Sequence, residues 1–76
     1  MNVLELVLGN LIQEKNIIES ELERVINNDN LNTIDRVNKS KELLLSLSNI
    51  IMTINLTSGY LPDKNKNNNE VNNINI

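Results

Sequence analysis

Apolar residues recur near the start of the chain at alternating steps of four and three. Seven positions follow this spacing: Leu4, Leu8, Leu11, Lys15, Ile18, Leu22 and Val25. Such steps return to the same side of an α-helix. The pattern predicts an amphipathic helix over about residues 3–27 with one seam along it. Lys15 interrupts this seam; we expect its stem to cover apolar surface while its amine reaches toward Glu14 or Glu19, the alternative being that it fixes the register of an assembly.

The richest apolar run, from Leu43 to Leu56, lies in a second predicted helix over about residues 32–58. Steps of three and four predict one seam at Val37, Ser40, Leu44, Leu47, Ile51 and Ile54. Leu43 and Ile50 widen this seam on one flank, and Leu45 and Met52 form a second stripe further round the helix. Because one neighbour cannot cover so wide an apolar surface, we expect additional burial by other chains.

Asn27 to Asn30 separate the two predicted helices. Asn and Asp cap helices and tolerate left-handed backbone angles, so this segment predicts a turn. The N-cap of the second helix is expected at Asp29, Asn30, Asn32 or Thr33. Gly59 is expected to end that helix, with Pro62 shortly beyond. Two helices of similar length joined by a short turn predict an antiparallel hairpin over residues 1–60.

The charges agree with a hairpin. Residues 1–30 hold six acids and two bases, and residues 31–58 hold two acids and three bases. Glu19, Glu21 and Glu23 at the end of the first helix would lie beside Arg36, Lys39 and Lys41 at the start of the second. Each group stands at the unfavourable end of its own helix dipole, and apposition across the turn partly offsets that.

The hairpin is expected to self-associate, as a four-helix bundle, or to dock on another protein, because two helices hide only their facing sides. Leu6, Leu45 and Met52 would otherwise remain in water. The predicted interface consists of the seam residues Leu4, Leu8, Leu11, Leu44, Leu47, Ile51 and Ile54, with Leu45 and Met52 on the outer face.

Composition narrows the functional classes. The chain has 76 residues, no Cys, no His and a formal charge of −3, so a disulfide, the usual zinc site and a basic nucleic-acid-binding face are not expected. Neither a signal peptide nor a membrane span is predicted, which favours a cytoplasmic location, or a virion if the chain is phage-encoded. Asn occurs seventeen times, a usage favoured by AT-rich codons, which indicates an AT-rich bacterium, phage, plasmid or other mobile element as the source. Residues 61–76 predict an Asn-rich disordered tail, the alternative being a short docking motif built on Val71, Ile74 and Ile76.

The sequence offers few candidate catalytic residues, because it has no His or Cys to act as an acid, base or nucleophile near neutral pH. Neither Glu14, Glu19, Glu21 and Glu23 nor the Asn-Asp turn has the converging oxygens of a metal site. We therefore expect no enzyme activity, no catalytic or metal-binding residue, no cofactor and no small-molecule substrate.

The segment Thr33 to Leu44 resembles the second helix of small sporulation-type aspartyl-phosphate phosphatases, which are also short helical hairpins. Ser40, Glu42 and Leu43 match the family's Ser-x-Glu-Leu-Asp signature, and Leu44 stands at the position of its Asp. The resemblance implies a regulator of that kind as the alternative function, and it would require a polar cluster around Ser40 and Glu42. The function predicted first is a small non-enzymatic interaction or assembly module, such as an accessory, inhibitory or structural protein of a phage or mobile element.

Overall fold

The computed structural model describes residues 2–61, which form two α-helices packed against each other. Helix α1 spans Val3–Ile26 and helix α2 spans Thr33–Gly59. No strand occurs within these residues. The predicted all-α hairpin is confirmed, and each helix begins and ends within a residue of its predicted bounds. The predicted tail lies, from residue 62 onward, outside the described residues.

Asparagine side chains cap both helices at their N-termini. The Oδ1 atom of Asn2 accepts a hydrogen bond from the Leu4 amide at 2.8 Å, and that of Asn32 accepts one from the Asp35 amide at 2.8 Å. These bonds satisfy amides that have no partner inside the helix. Asn32 was one of the four predicted N-caps, so the start of α2 follows from its capping chemistry.

Gly59, which was expected to end α2, is its last residue. Its φ is not positive, so the helix ends without a left-handed glycine. Tyr60 follows as the C-cap, and its amide donates to the Thr57 carbonyl at 3.0 Å. At the end of α1, the Asn27 side-chain amide donates to the Glu23 carbonyl at 2.9 Å.

The turn between the helices uses side-chain hydrogen bonds rather than left-handed backbone angles. The Asn30 amide donates to Oδ1 of Asn28 at 3.0 Å, and the Leu31 amide donates to the Asn28 carbonyl at 3.3 Å. None of the turn residues has a positive φ. The short polar side chains therefore replace backbone partners, which is the property that predicted a turn here.

Helix α1 presents the predicted seam to α2. Its half-buried residues are Leu4, Leu8, Leu11, Lys15, Ile18, Glu21 and Leu22, and Val25 is buried. Lys15 lies within this seam with its Nζ atom 3.4 Å from Oε1 of Glu19. The stem is covered while the amine reaches a carboxylate at the surface, which confirms the expected geometry.

Helix α2 is rotated relative to its predicted seam. The residues facing α1 are Arg36, Ser40, Leu43, Leu47, Ile50, Ile54 and Thr57. The expected seam is therefore wrong at Val37, Leu44 and Ile51, which are 58%, 51% and 40% exposed. Leu43 and Ile50 keep the same steps of three and four with Leu47 and Ile54. The observed seam and the predicted seam are therefore both continuous along α2. The observed rotation also brings Arg36 to the end of α1.

Candidate association surface

The hairpin exposes far more apolar side chains than it buries. Within residues 2–61, Val25 is the one buried hydrophobic residue, at 5% exposure. Fifteen large apolar side chains are exposed in the same range, including Leu6 at 57%, as expected for a face that α2 does not cover. A patch of exposed apolar side chains is a candidate interaction surface where its members lie together on one side of the molecule.

The structure divides the predicted interface residues into two groups. Five are half-buried between the helices: Leu4, Leu8, Leu11, Leu47 and Ile54. Four lie on the outer surface of α2, namely Leu44, Leu45, Ile51 and Met52, and are 40–65% exposed. The first group forms the contact within one hairpin, and the second group is available to another chain.

An apolar groove runs along one side of the hairpin, where the end of α1 meets the first half of α2. Its volume is about 710 Å³, and it is lined by Ile26, Thr33, Arg36, Val37, Ser40, Lys41, Leu44 and Leu45. Ile51 lies seven residues after Leu44 and extends the same stripe of α2 toward the open end. We call this side, with Ile26, Val37, Leu44 and Ile51 as its apolar residues, the groove side.

The opposite side of the hairpin is more polar, and we call it the polar side. Its depression is lined by Glu21, Arg24, Val25, Asn28, Leu31, Asp35, Asn38, Lys39 and Glu42. Charged groups here pair within their own helix: Arg24 contacts both carboxylate oxygens of Glu21 at 2.5 and 2.6 Å, and Lys39 lies 4.0 Å from Glu42. The two sides of the hairpin thus differ in chemistry, and the groove side is the one suited to burial.

Electrostatic contacts link the two helices near the turn. The Arg36 guanidinium donates to the Ile26 carbonyl, which places a positive charge at the negative end of the α1 dipole. On the polar side, the hydrogen bond from Arg24 is the main cause that lowers the pKa of Glu21; desolvation opposes it, and the charges of Arg24 and Lys39 lower the pKa further. The influence of Lys39 on Glu21 agrees with the predicted apposition of acids and bases. The ion pairs within residues 2–61, however, each join two residues of the same helix, two pairs in α1 and one in α2.

The structure separates the two residues on which the alternative function depends. Ser40 is half-buried against α1, whereas Glu42 is exposed on the polar side beside Lys39. No group of three potential metal-binding side chains occurs within residues 2–61. Between residues 3 and 59, neither helix has a stretch long and apolar enough to cross a bilayer.

Ile26 is the groove residue that the sequence reasoning missed. It lies between Val25, the last residue of the predicted seam, and Asn27, the first residue of the predicted turn, and neither pattern includes it. A signal was present, since Ile26 lies seven residues after Glu19 and fourteen after Ile12, close to one face of α1. Ile12 and Ile26 are 40% and 48% exposed.

Comparisons with family models, with curated proteins and with solved structures find no match for this chain.

Proposed function

We propose that this chain is a small non-enzymatic assembly module whose hairpin associates with a second copy to form a four-helix bundle. The observation that supports the proposal is the imbalance between one buried hydrophobic residue and fifteen exposed large apolar side chains within residues 2–61. Apolar area left in water contributes nothing to stability until another surface covers it. Association is the step that would cover it.

The size of the hairpin strengthens this reasoning. A single core in a chain below about 70–80 residues rarely supplies more than about 3–5 kcal/mol, and small scaffolds compensate with disulfides, metals or oligomerisation. This chain has no Cys and no His, so the usual disulfide and zinc solutions are absent from its sequence. Oligomerisation is the remaining route, and pairing two helical hairpins into a four-helix bundle is its common form.

Sedimentation equilibrium over a wide concentration range, combined with helicity measured by circular dichroism, tests the proposal. The expected mass is a multiple of the 8.6 kDa chain, with a melting temperature that rises with concentration. A single chain that remains compact and melts cooperatively at every concentration would overturn the proposal.

A matched pair of variants locates the association on the outer apolar surface. Leu45→Glu with Met52→Glu adds two charges at side chains that are 61% and 65% exposed in the hairpin. We expect this variant to sediment as one chain or to lose helicity. The control, Ser46→Glu with Thr53→Glu, adds the same charge at exposed positions seven and fourteen residues after Lys39, on the other side of α2, and is expected to assemble normally.

A further inference from the structure

The groove side carries opposite charges on its two helices. Lys41 lines the groove on α2, between Val37 and Leu44. On α1, Glu19 and Glu23 lie seven and three residues before Ile26, which places them on the face that Ile26 presents to the groove. All three charged side chains are exposed. Lys15 contacts Glu19 within α1, and the two acids together still leave the α1 half of this side with a net negative charge. The α2 half is basic near the turn.

Twofold symmetry allows the groove sides of two hairpins to pack face to face in two arrangements. If the axis runs along the helices, each α1 lies over the α2 of the other copy, and both turns are at the same end of the bundle. If the axis runs across the helices, α1 lies over α1 and α2 over α2, and the turns are at opposite ends. The apolar residues of the groove side are covered in both cases, so the charges distinguish the arrangements.

We infer that the groove is filled by α1 of a second copy, with both turns at the same end. This inference rests on the proposed self-association and adds its surface and orientation. In this arrangement the acids of one α1 lie over Lys41 of the other copy. In the alternative the two turns are at opposite ends, so the acids of each α1 lie against the first half of the other α1 and far from Lys41 of that copy. Complementary charges across an interface specify the pairing more than they raise its affinity.

The heights of the charged groups along the hairpin agree with this arrangement. The contact between Arg36 and the Ile26 carbonyl sets the register of the two antiparallel helices. From this contact, both helices extend away from the turn. Glu19 lies seven residues from it along α1 and Lys41 lies five residues from it along α2, so their distances from the turn agree to within about one helical turn. An axis along the helices preserves height, and it therefore places Glu19 of one copy near Lys41 of the other.

Crosslinking between single-cysteine chains tests the arrangement. Because the sequence has no Cys, the introduced thiols are the ones that react. An equimolar mixture of Ile26→Cys and Val37→Cys chains, treated with a short thiol crosslinker, is expected to give mixed dimers. A mixture of Val37→Cys and Ile51→Cys chains reports the other arrangement and is expected to give none. Linkage in the second mixture, in both mixtures or in neither overturns the inference if the variants still sediment as oligomers. If the unmodified protein sediments as one chain, the proposed function fails as well.

Charge reversal provides an independent test. Lys41→Glu and Glu19→Lys are each expected to weaken self-association about tenfold, because each introduces like charges at the contact. Mixing the two variants restores opposite charges at both contacts, so native mass spectrometry should show mixed dimers above the level of random exchange. Lys39→Glu, on the polar side, is the control and should associate like the unmodified protein. Mixed dimers at the random level would overturn the inference.

Discussion

Leu43 and Leu44 are adjacent and chemically identical, yet the fold places them differently. Leu43 is half-buried against α1, and Leu44 is 51% exposed on the groove side. Replacing each by Ala in turn measures how much of the stability comes from the hairpin and how much from association. Leu and Ala both have high helix propensity, so the comparison is little affected by the intrinsic stability of α2.

The expected magnitudes follow from burial. Full burial of a Leu side chain is worth about 1.5–3 kcal/mol, and truncation in a packed core costs about 2–5 kcal/mol. In a lone hairpin, Leu43→Ala should lower the free energy of unfolding by about 2 kcal/mol, and Leu44→Ala by about 1 kcal/mol or less, because half of that side chain is already in water. In the assembled protein both positions are covered, and the two losses should agree to about 1 kcal/mol per chain.

Urea unfolding followed by circular dichroism, repeated at two protein concentrations, provides the measurement. We expect both midpoints to rise with concentration, and the cost of Leu44→Ala to approach that of Leu43→Ala. A cost for Leu44→Ala within about 0.5 kcal/mol of zero, with no dependence on concentration, would refute the reasoning, since that is how an exposed surface position behaves.

Three further predictions concern the hairpin itself. Asn32→Ala should lower the free energy of unfolding by about 1 kcal/mol through loss of the α2 N-cap, and Asn32→Ser should retain most of it, as measured by thermal melts. Arg36→Gln should cost about 1–2 kcal/mol by removing the charged donor at the Ile26 carbonyl; no change in urea unfolding would show that this contact is unimportant. The pKa of Glu21, followed by carboxyl NMR shifts, should rise in Arg24→Gln. Because folding lowers the pKa of Glu21, the stabilisation that this carboxylate provides is present above the ordinary Glu pKa and is lost as the pH falls through the lowered pKa. An unchanged Glu21 pKa in Arg24→Gln would contradict the assignment of the shift to Arg24.

The structure of α1 was predictable from sequence because its pattern offers a single solution. The seven seam positions lie at alternating steps on one face, and every one is half-buried or buried in the hairpin. Capping chemistry narrowed the start of α2 to four residues, one of which, Asn32, is the N-cap, whereas the capping role of Asn2 was not predicted. The mechanism that ends α2 was not predictable in the same way, because Gly59 can adopt helical angles as well as left-handed ones.

The face of α2 that meets α1 was decided only by the tertiary structure. The neighbours Leu43 and Leu44, and likewise Ile50 and Ile51, offer two apolar seams of the same spacing, and burying either against one helix removes a similar apolar area from water. The sequence by itself determined that α2 is apolar on more than one side and that a single partner leaves part of it exposed. Contacts between residues distant in the chain, such as Arg36 with the Ile26 carbonyl, accompany the rotation that leaves Leu44 and Ile51 outside the hairpin contact. Periodicity counts residues along one helix, and it contains no information about which of two equivalent faces such a contact selects.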